Sequence, residues 1–389
     1  MPWEQYTPTL WLGHHAARRL DIETDWKEGN RITLLPDSRC FVPALLEAID
    51  AAQESIWLEQ YLVESGRVTH RFFEALRRAA KRGVKVRVLL DSFGATGMDQ
   101  HERARLSAAG VALSHYNPFM LQRLHRNLIR THRKLVLIDR RVVYTGGYCL
   151  TDDYLGDWFD LMVRAEGPVV ADAITLFANL WESPRTRGGK ARVDRQIEPH
   201  SQPGSMTARL VQNAGHRRPT IRRSLHRQIA AATRRVWLYT PYFLPSRQLR
   251  RLIMEASAQG VDVRLLVAGQ GHDHPSVRTA GQRHYDQLLD SGIKIYEYQP
   301  RFTHAKFCIV DDWVTVGSCN FDHWSLHWNL EANLEVDSPT FCADLVELFE
   351  NHSEESRPIL AKTWQQRPRT QRLRERAAAL VSAWLAGLR

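Results

Sequence analysis

Two stretches decide the reading of this chain: His132-Arg133-Lys134-Leu135-Val136-Leu137-Ile138-Asp139 and His304-Ala305-Lys306-Phe307-Cys308-Ile309-Val310-Asp311. Both carry His-x-Lys-x4-Asp at the same spacing. Lysine is scarce here, eight residues against 45 arginines, so two copies of the pattern are not coincidence. In an extended segment, residues two apart point to one face, so each His-Lys pair is expected to address a single substrate. The aspartate, five residues after the lysine, falls on the opposite parity and is expected to be structural, holding an ion pair, unless a strand end precedes it.

Working outward, the motifs sit in two halves that echo each other. Ala51-Ala52-x-x-x-Ile56-Trp57-Leu58 recurs as Ala231-Ala232-x-x-x-Val236-Trp237-Leu238, and Gly83-Val84-x-Val86-Arg87-x-Leu89 recurs as Gly260-Val261-x-Val263-Arg264-x-Leu266. Each half reads as a β-rich run (31–36; 207–212), a helix (41–54; 217–234), a strand (55–62; 235–242), a helix (69–82; 246–259) and a buried strand (84–91; 261–267). A helix ending in glycine (Gly110; Gly292), a further strand, two short strands around the motif, and a last strand and helix (159–182; 331–352) complete the unit. Alternating strands and helices predict a layered α/β architecture. The Arg-, Gly-, Pro- and Ser-rich stretch 186–205 reads as a linker between domains at 26–185 and 206–352. Residues 1–25 form an amino-terminal segment and 353–389 a tail, basic first and amphipathic after.

Beyond each motif lies a turn of small residues, Gly146-Gly147-Tyr148-Cys149 and Gly317-Ser318-Cys319-Asn320. Glycine lets backbone amides approach an anion, and serine or asparagine adds donors, so Gly147, Ser318 and Asn320 are candidate phosphate binders. A carboxylate follows each turn: Asp160, 28 residues after His132, and Glu331, 27 after His304. Each is a candidate to hold its own histidine's second nitrogen and fix the tautomer.

A net charge of +10 over 389 residues favours an anionic partner: nucleic acid, a phospholipid surface or a phosphorylated substrate. Five cysteines with no Cys-x-x-Cys pair argue against a disulfide framework and a thiolate zinc site. No secretory signal is visible, and the longest apolar run, Ala377 to Leu388, is too short to span a bilayer, which predicts a cytoplasmic chain. Two histidines at one phosphodiester can divide a displacement into two steps, one attacking phosphorus and the other protonating the leaving alkoxide. Lys134 and Lys306 would stabilise the equatorial oxygens, so no metal or other cofactor is needed.

These residues resemble the phospholipase D superfamily, whose signature is the double His-x-Lys-x4-Asp. Arg133 to Asp139 with Gly146-Gly147, Val163 to Pro168, Val316 to Asn320, and Leu326 with Asn329 to Asn333 are similar to the bacterial cardiolipin synthases, above all the shorter B type. The resemblance covers Trp26 to Asn351. It implies two pseudo-symmetric α/β/α domains with mixed central sheets and an active site at their interface. It further implies His132, Lys134, Asp139, His304, Lys306 and Asp311 as the catalytic set, with His132 as nucleophile and His304 as acid. The implied reaction is phosphatidyl transfer through a phosphohistidine, making cardiolipin from phosphatidylglycerol and a second phospholipid.

The implied partners are anionic phospholipids (phosphatidylglycerol, cardiolipin) and the inner face of the bacterial cell membrane, with no nucleic acid. A phospholipase D-type hydrolase or other phospholipid transferase, a nuclease and a catalytically idle binder of anionic surfaces are the alternatives. Three departures stand out: Cys149 where the family usually has Asn, Gly147 in place of the common Ser, and a second hairpin one residue shorter. Trp3, Tyr6, Leu10, Trp11 and Leu12 are expected either to pack in the core or to dip into a lipid interface, and Pro118, Phe119, Met120 and Leu121 are a second candidate to dip into it.

Overall fold

The computed structural model describes residues 24–120, 127, 129–188, 192–195, 202–214, 219–269, 271, 273–368 and 370–371. The amino-terminal aromatic stretch, Leu121 and the apolar part of the tail lie outside the described residues.

Among the described residues sixteen strands form one mixed sheet whose order is palindromic. At its centre Lys27–Pro36 pairs antiparallel with Met206–Ala214, the equivalent first strands of the two halves. Outward in the first half come Leu161–Glu166, Val142–Gly146, Leu135–Ile138, Ser55–Gln60, Lys85–Asp91 and Ala112–Tyr116. The second half repeats this order with Leu330–Asp337, Trp313–Gly317, Phe307–Val310, Arg235–Thr240, Asp262–Ala268 and Lys294–Tyr298. The expected fold is therefore present, with the two central sheets merged into one.

Strand alternation divides the core. Ile56 and Leu58 pack with Phe72, Phe73 and Leu76 of helix Arg67–Lys81 on one face. Trp57 turns to the other face, where it stacks on Phe177 of helix Val170–Trp181 at 5.2 Å between ring centroids. In the second half Trp237 meets Phe349 of helix Pro339–Glu354 in the same way. Both of these helices belong to one shared cluster that also contains Leu210, Leu334 and Val163, so the core under the central strands is common to the halves. The outer helices stop at matched glycines, Gly83 at φ 92° and Gly260 at φ 88°, a left-handed conformation that ends a helix at little cost only for glycine.

Two boundaries differ from expectation. Thr186–Gly188, placed in the linker, is an edge strand on Ala112–Tyr116. Ser356–Ile359, placed in the tail, pairs with Lys294–Tyr298 at the opposite edge, and helix Ala361–Gln365 follows. Each half thus ends by covering the outermost strand, a feature too short and too polar to show in hydrophobic periodicity.

The motif aspartates have a backbone role. Asp139 accepts from the amides of Gln53, Glu54 and Ser55 at 2.7–3.0 Å, and Asp311 accepts from Thr233, Arg234 and Arg235 at 2.8–3.0 Å. Each clamps the helix-to-strand junction from a turn where its own φ is near 50°, a conformation that aspartate tolerates. They are therefore not members of a catalytic set, and amides rather than an ion pair hold them. The motif strand lies between, and at roughly 3.3 Å per residue it carries the carboxylates well over 10 Å from the histidines. The shorter second hairpin is explained at the same turn: three residues join Ile138 to Val142, and two join Val310 to Trp313.

Burial alone would raise the Asp311 carboxyl, but the amides of Arg235, Thr233 and Arg234 bring it below its ordinary 3.8. Its contribution is thus complete above that pH and fades as pH falls through the lowered value. Asp311→Ala should cost about 1–3 kcal/mol in urea unfolding at pH 7, and the deficit should shrink toward zero in strong acid. A pH-independent deficit would contradict the amide clamp.

Candidate active site

His132-Arg133-Lys134 and His304-Ala305-Lys306 precede their strands rather than lying within them. The main chain of the opposite half holds each in extended form. Thr131 bridges Leu330 in parallel, and the His132 amide donates to the Leu330 carbonyl at 2.8 Å. Phe302–Thr303 pairs with Trp158–Phe159, and the His304 amide donates to the Phe159 carbonyl at 2.7 Å. Alternation persists through these segments, so His132 and Lys134 share a face while Arg133 is buried on the other, donating to Gln212 at 2.8 Å.

The residue after each of these crossing points is the carboxylate, and it serves the other half's histidine. His132 Nδ1 lies 3.0 Å from Glu331 Oε2, and His304 Nδ1 lies 2.8 Å from Asp160 Oδ2. The expectation that each acid holds the histidine of its own motif is therefore corrected: the residues are right and the pairing is crossed. An ionised carboxylate only accepts, so Nδ1 carries the proton and Nε2 is the free lone pair of each imidazole. Lys134 Nζ donates to the His132 carbonyl at 2.8 Å and Lys306 Nζ to the His304 carbonyl, which ties each ammonium to its own histidine.

The small-residue turns support the carboxylates. A Cβ on Gly147 would lie 2.4 Å from Asp160 Oδ2, so only glycine allows that acid to reach across. At the equivalent position Ser318 Oγ donates to Glu331 Oε2 at 2.5 Å and accepts from the Ala332 amide at 3.0 Å. Gly147 and Ser318 are accordingly positioning residues, because the Gly147 amide is spent on the Leu161 carbonyl at 3.3 Å and the Ser318 hydroxyl on Glu331. Asn320 lines the cleft, its Nδ2 donates to Ser325 Oγ at 3.3 Å, and its Oδ1 has no partner. Cys149, its counterpart, is buried with Sγ 3.8 Å from the Gly147 carbonyl and supplies no amide to the cleft.

Tyr154 was not legible beforehand. It is fully buried, with its hydroxyl 2.9 Å from His304 Nδ1 and 3.4 Å from Asp160 Oδ2. Asp160 thus receives from Tyr154 the hydroxyl that Glu331 receives from Ser318. The second half has Ser325 at the matching place, and that mismatch within the repeat is the one sequence signal that could have marked Tyr154. Tyr61, edge-on to His132 with ring centroids 4.9 Å apart, and Arg130, 3.4 Å from buried Asp91, were also missed.

A cleft of about 590 Å³ opens above His132 between the halves, walled by Tyr61, Arg130, Tyr242, Leu244, Asn320 and Asn329 among others. Burial pulls the His132 imidazole down against the pull of Glu331, and burial with Lys306 and Lys134 holds His304 well below its ordinary value. Burial also pushes Asp160 up to about 6 against Lys306, and lowers Lys306 to about 8. At neutral pH the site therefore holds two neutral imidazoles, an Asp160 carboxylate and charged Lys306.

The family model described as "Cardiolipin synthase, PLD-like domain" matches residues 45–181 and 225–353. The chain is 38% identical over 317 residues to cardiolipin synthase B of Salmonella typhi, covering 78% of this chain and 76% of that protein. It is 32% identical over 371 residues to cardiolipin synthase A of Proteus mirabilis (strain HI4320), covering 92% and 76%. Phosphatidylserine synthase of Haemophilus influenzae Rd KW20 superposes with a TM-score of 0.74 over 90% of this chain and 93% of that one, at 15% identity, so the two share a fold. The chain belongs to the phospholipase D superfamily and, within it, to the cardiolipin synthase family.

Asp160 and Lys306 set the expected pH dependence. Turnover should fall in acid as Asp160 takes a proton near pH 6 and releases His304, and should fall in alkali as Lys306 loses its charge near pH 8. Lys306→Arg should remove the alkaline limb, since guanidinium stays charged. An unchanged alkaline limb in that variant would assign it elsewhere.

Proposed function

We propose that this chain is a phosphatidyltransferase that makes cardiolipin from phosphatidylglycerol and a second phospholipid, working peripherally at the cytoplasmic face of the membrane. The carrying observation is the pair of imidazoles with crossed carboxylates beside two ammonium groups, in a chain 38% identical to a cardiolipin synthase B.

In this reading His132 Nε2, at the cleft floor, attacks the phosphorus of the donor lipid. The P–O bond to the departing alcohol breaks as a phosphorus–nitrogen bond forms. Burial and the lysine charges depress His304; the arriving phosphodiester anion offsets the lysine charges, so His304 takes up a proton from solvent as the donor binds and hands it to the leaving alkoxide. Neutral again, His304 takes the proton of the acceptor hydroxyl, whose oxygen attacks phosphorus and restores free His132. Lys134 and Lys306 face the equatorial oxygens throughout. Access favours His132 as nucleophile because it lines the cleft.

Incubation with radiolabelled phosphatidylglycerol vesicles and thin-layer separation should show cardiolipin appearing with released glycerol, at a rate unchanged by EDTA. His132→Ala and His304→Ala should each lose at least about a hundredfold. Phosphatidic acid as the only product would make the chain a hydrolase, and near-normal turnover in either variant would remove the two-histidine site.

A further inference from the structure

Two large apolar side chains at the cleft mouth are conspicuously exposed: Phe93 at 65% and Phe119 at 66%. They come from different places in the first half. Phe93 stands in the turn after Lys85–Asp91, where Asp91 Oδ1 accepts from its amide at 2.9 Å and from that of Gly94 at 3.1 Å, so the ring is presented by an ordered turn. Phe119 follows Ala112–Tyr116, and beside it Met120, 40% exposed, exchanges two hydrogen bonds of 3.0 Å with Asn127. Water leaves such rings exposed at a cost that only an apolar partner recovers.

The facing wall belongs to the second half and continues the pattern. Leu244 and Val277 line the cleft, and the helices that follow or carry them bear arginines. Arg247 begins the helix three residues after Leu244, and Arg283 closes the helix that carries Val277. Both repel Arg250, whose Nε is buried without a partner. The helix rise of 1.5 Å per residue sets Arg283 about 9 Å from Val277.

We propose that this rim is the surface by which the protein docks on an anionic phospholipid bilayer, with the two phenyl rings and Met120 entering the acyl boundary and the exposed Arg247 and Arg283 meeting head groups. The occupant is a bilayer rather than a nucleic acid because Met120, Leu244 and Val277 extend the apolar rim beyond the two rings, and an acyl layer takes up thioether and aliphatic groups on which bases do not stack. The inference rests on the phosphatidyltransferase reading for its purpose, since it opens the cleft directly onto the lipid, but its test does not depend on turnover.

Full-length protein is sedimented with vesicles of phosphatidylglycerol and phosphatidylcholine. Phe93→Ser with Phe119→Ser should weaken partitioning by about tenfold or more per ring, the value of withdrawing a phenyl group from an apolar phase. Arg247→Gln with Arg283→Gln should cut partitioning to vesicles rich in phosphatidylglycerol and flatten its salt dependence, leaving the weak binding to pure phosphatidylcholine as it was. Thermal unfolding at the wild-type temperature shows that the variants fold. His132→Ala should bind vesicles like the wild type, so a chain that docks but does not transfer would sink the functional reading alone. Wild-type partitioning by the phenylalanine variant would overturn the docking surface, as would vesicle binding that duplex DNA displaces at matched phosphate concentration.

Discussion

Everything at the site depends on an exchange between the halves: each imidazole is oriented by a carboxylate that the other half supplies. Asp160 and Glu331 are fully buried, and a buried carboxylate is tolerated only when its lone pairs are met. Asp160 is met by the Leu161 amide at 2.8 Å, Tyr154 and His304, and Glu331 by Ser318, Asn329 and His132. Removing one half would leave an acid in each remaining site without its base. Neither half is therefore a complete catalyst, which is why the duplicated unit is joined through its first strands into a single sheet with a shared core.

The halves are copies in backbone and not in chemistry. Beneath His132, Thr131 donates to Glu59 at 2.5 Å, and Arg133 is fully buried where its charge meets that of Glu59. The equivalent Thr303 instead donates to Tyr239 at 2.9 Å, whose hydroxyl reaches His352 at 2.8 Å. One histidine thus rests on a buried acid-guanidinium pair and the other on a tyrosine and an imidazole. Such divergence suits a reaction whose two imidazoles do different work, since an acid and a nucleophile need different proton affinities.

Much of this was legible from the chain alone. Spacing identified both His-Lys pairs, the repeat placed nearly every central strand, and the later acids at Asp160 and Glu331 were recognised by their symmetry. Pairing was not legible, because a repeat announces which residues correspond and is silent on whether they contact within or across copies. Parity correctly separated Asp139 and Asp311 from the lysines, but assigning them to catalysis followed the family signature instead of that physics. Gly147 and Ser318 read as anion donors since small residues in a turn have two uses, and only the distance to a neighbouring carboxylate distinguishes them. The edge strands at Thr186–Gly188 and Ser356–Ile359 lack any periodicity to detect.

The crossed pairing is tested most directly with an activated donor, a p-nitrophenyl phosphodiester, whose leaving group needs no acid. In His304→Ala, His132 should still release about one nitrophenolate per enzyme in a burst and retain an acid-labile phosphate. Adding Glu331→Gln to that variant should slow the burst at least tenfold, because Glu331 orients His132. Adding Asp160→Asn should leave the burst rate unchanged, because the histidine it serves is already gone. The opposite pattern, a burst slowed by Asp160→Asn and indifferent to Glu331→Gln, would contradict the exchange between halves.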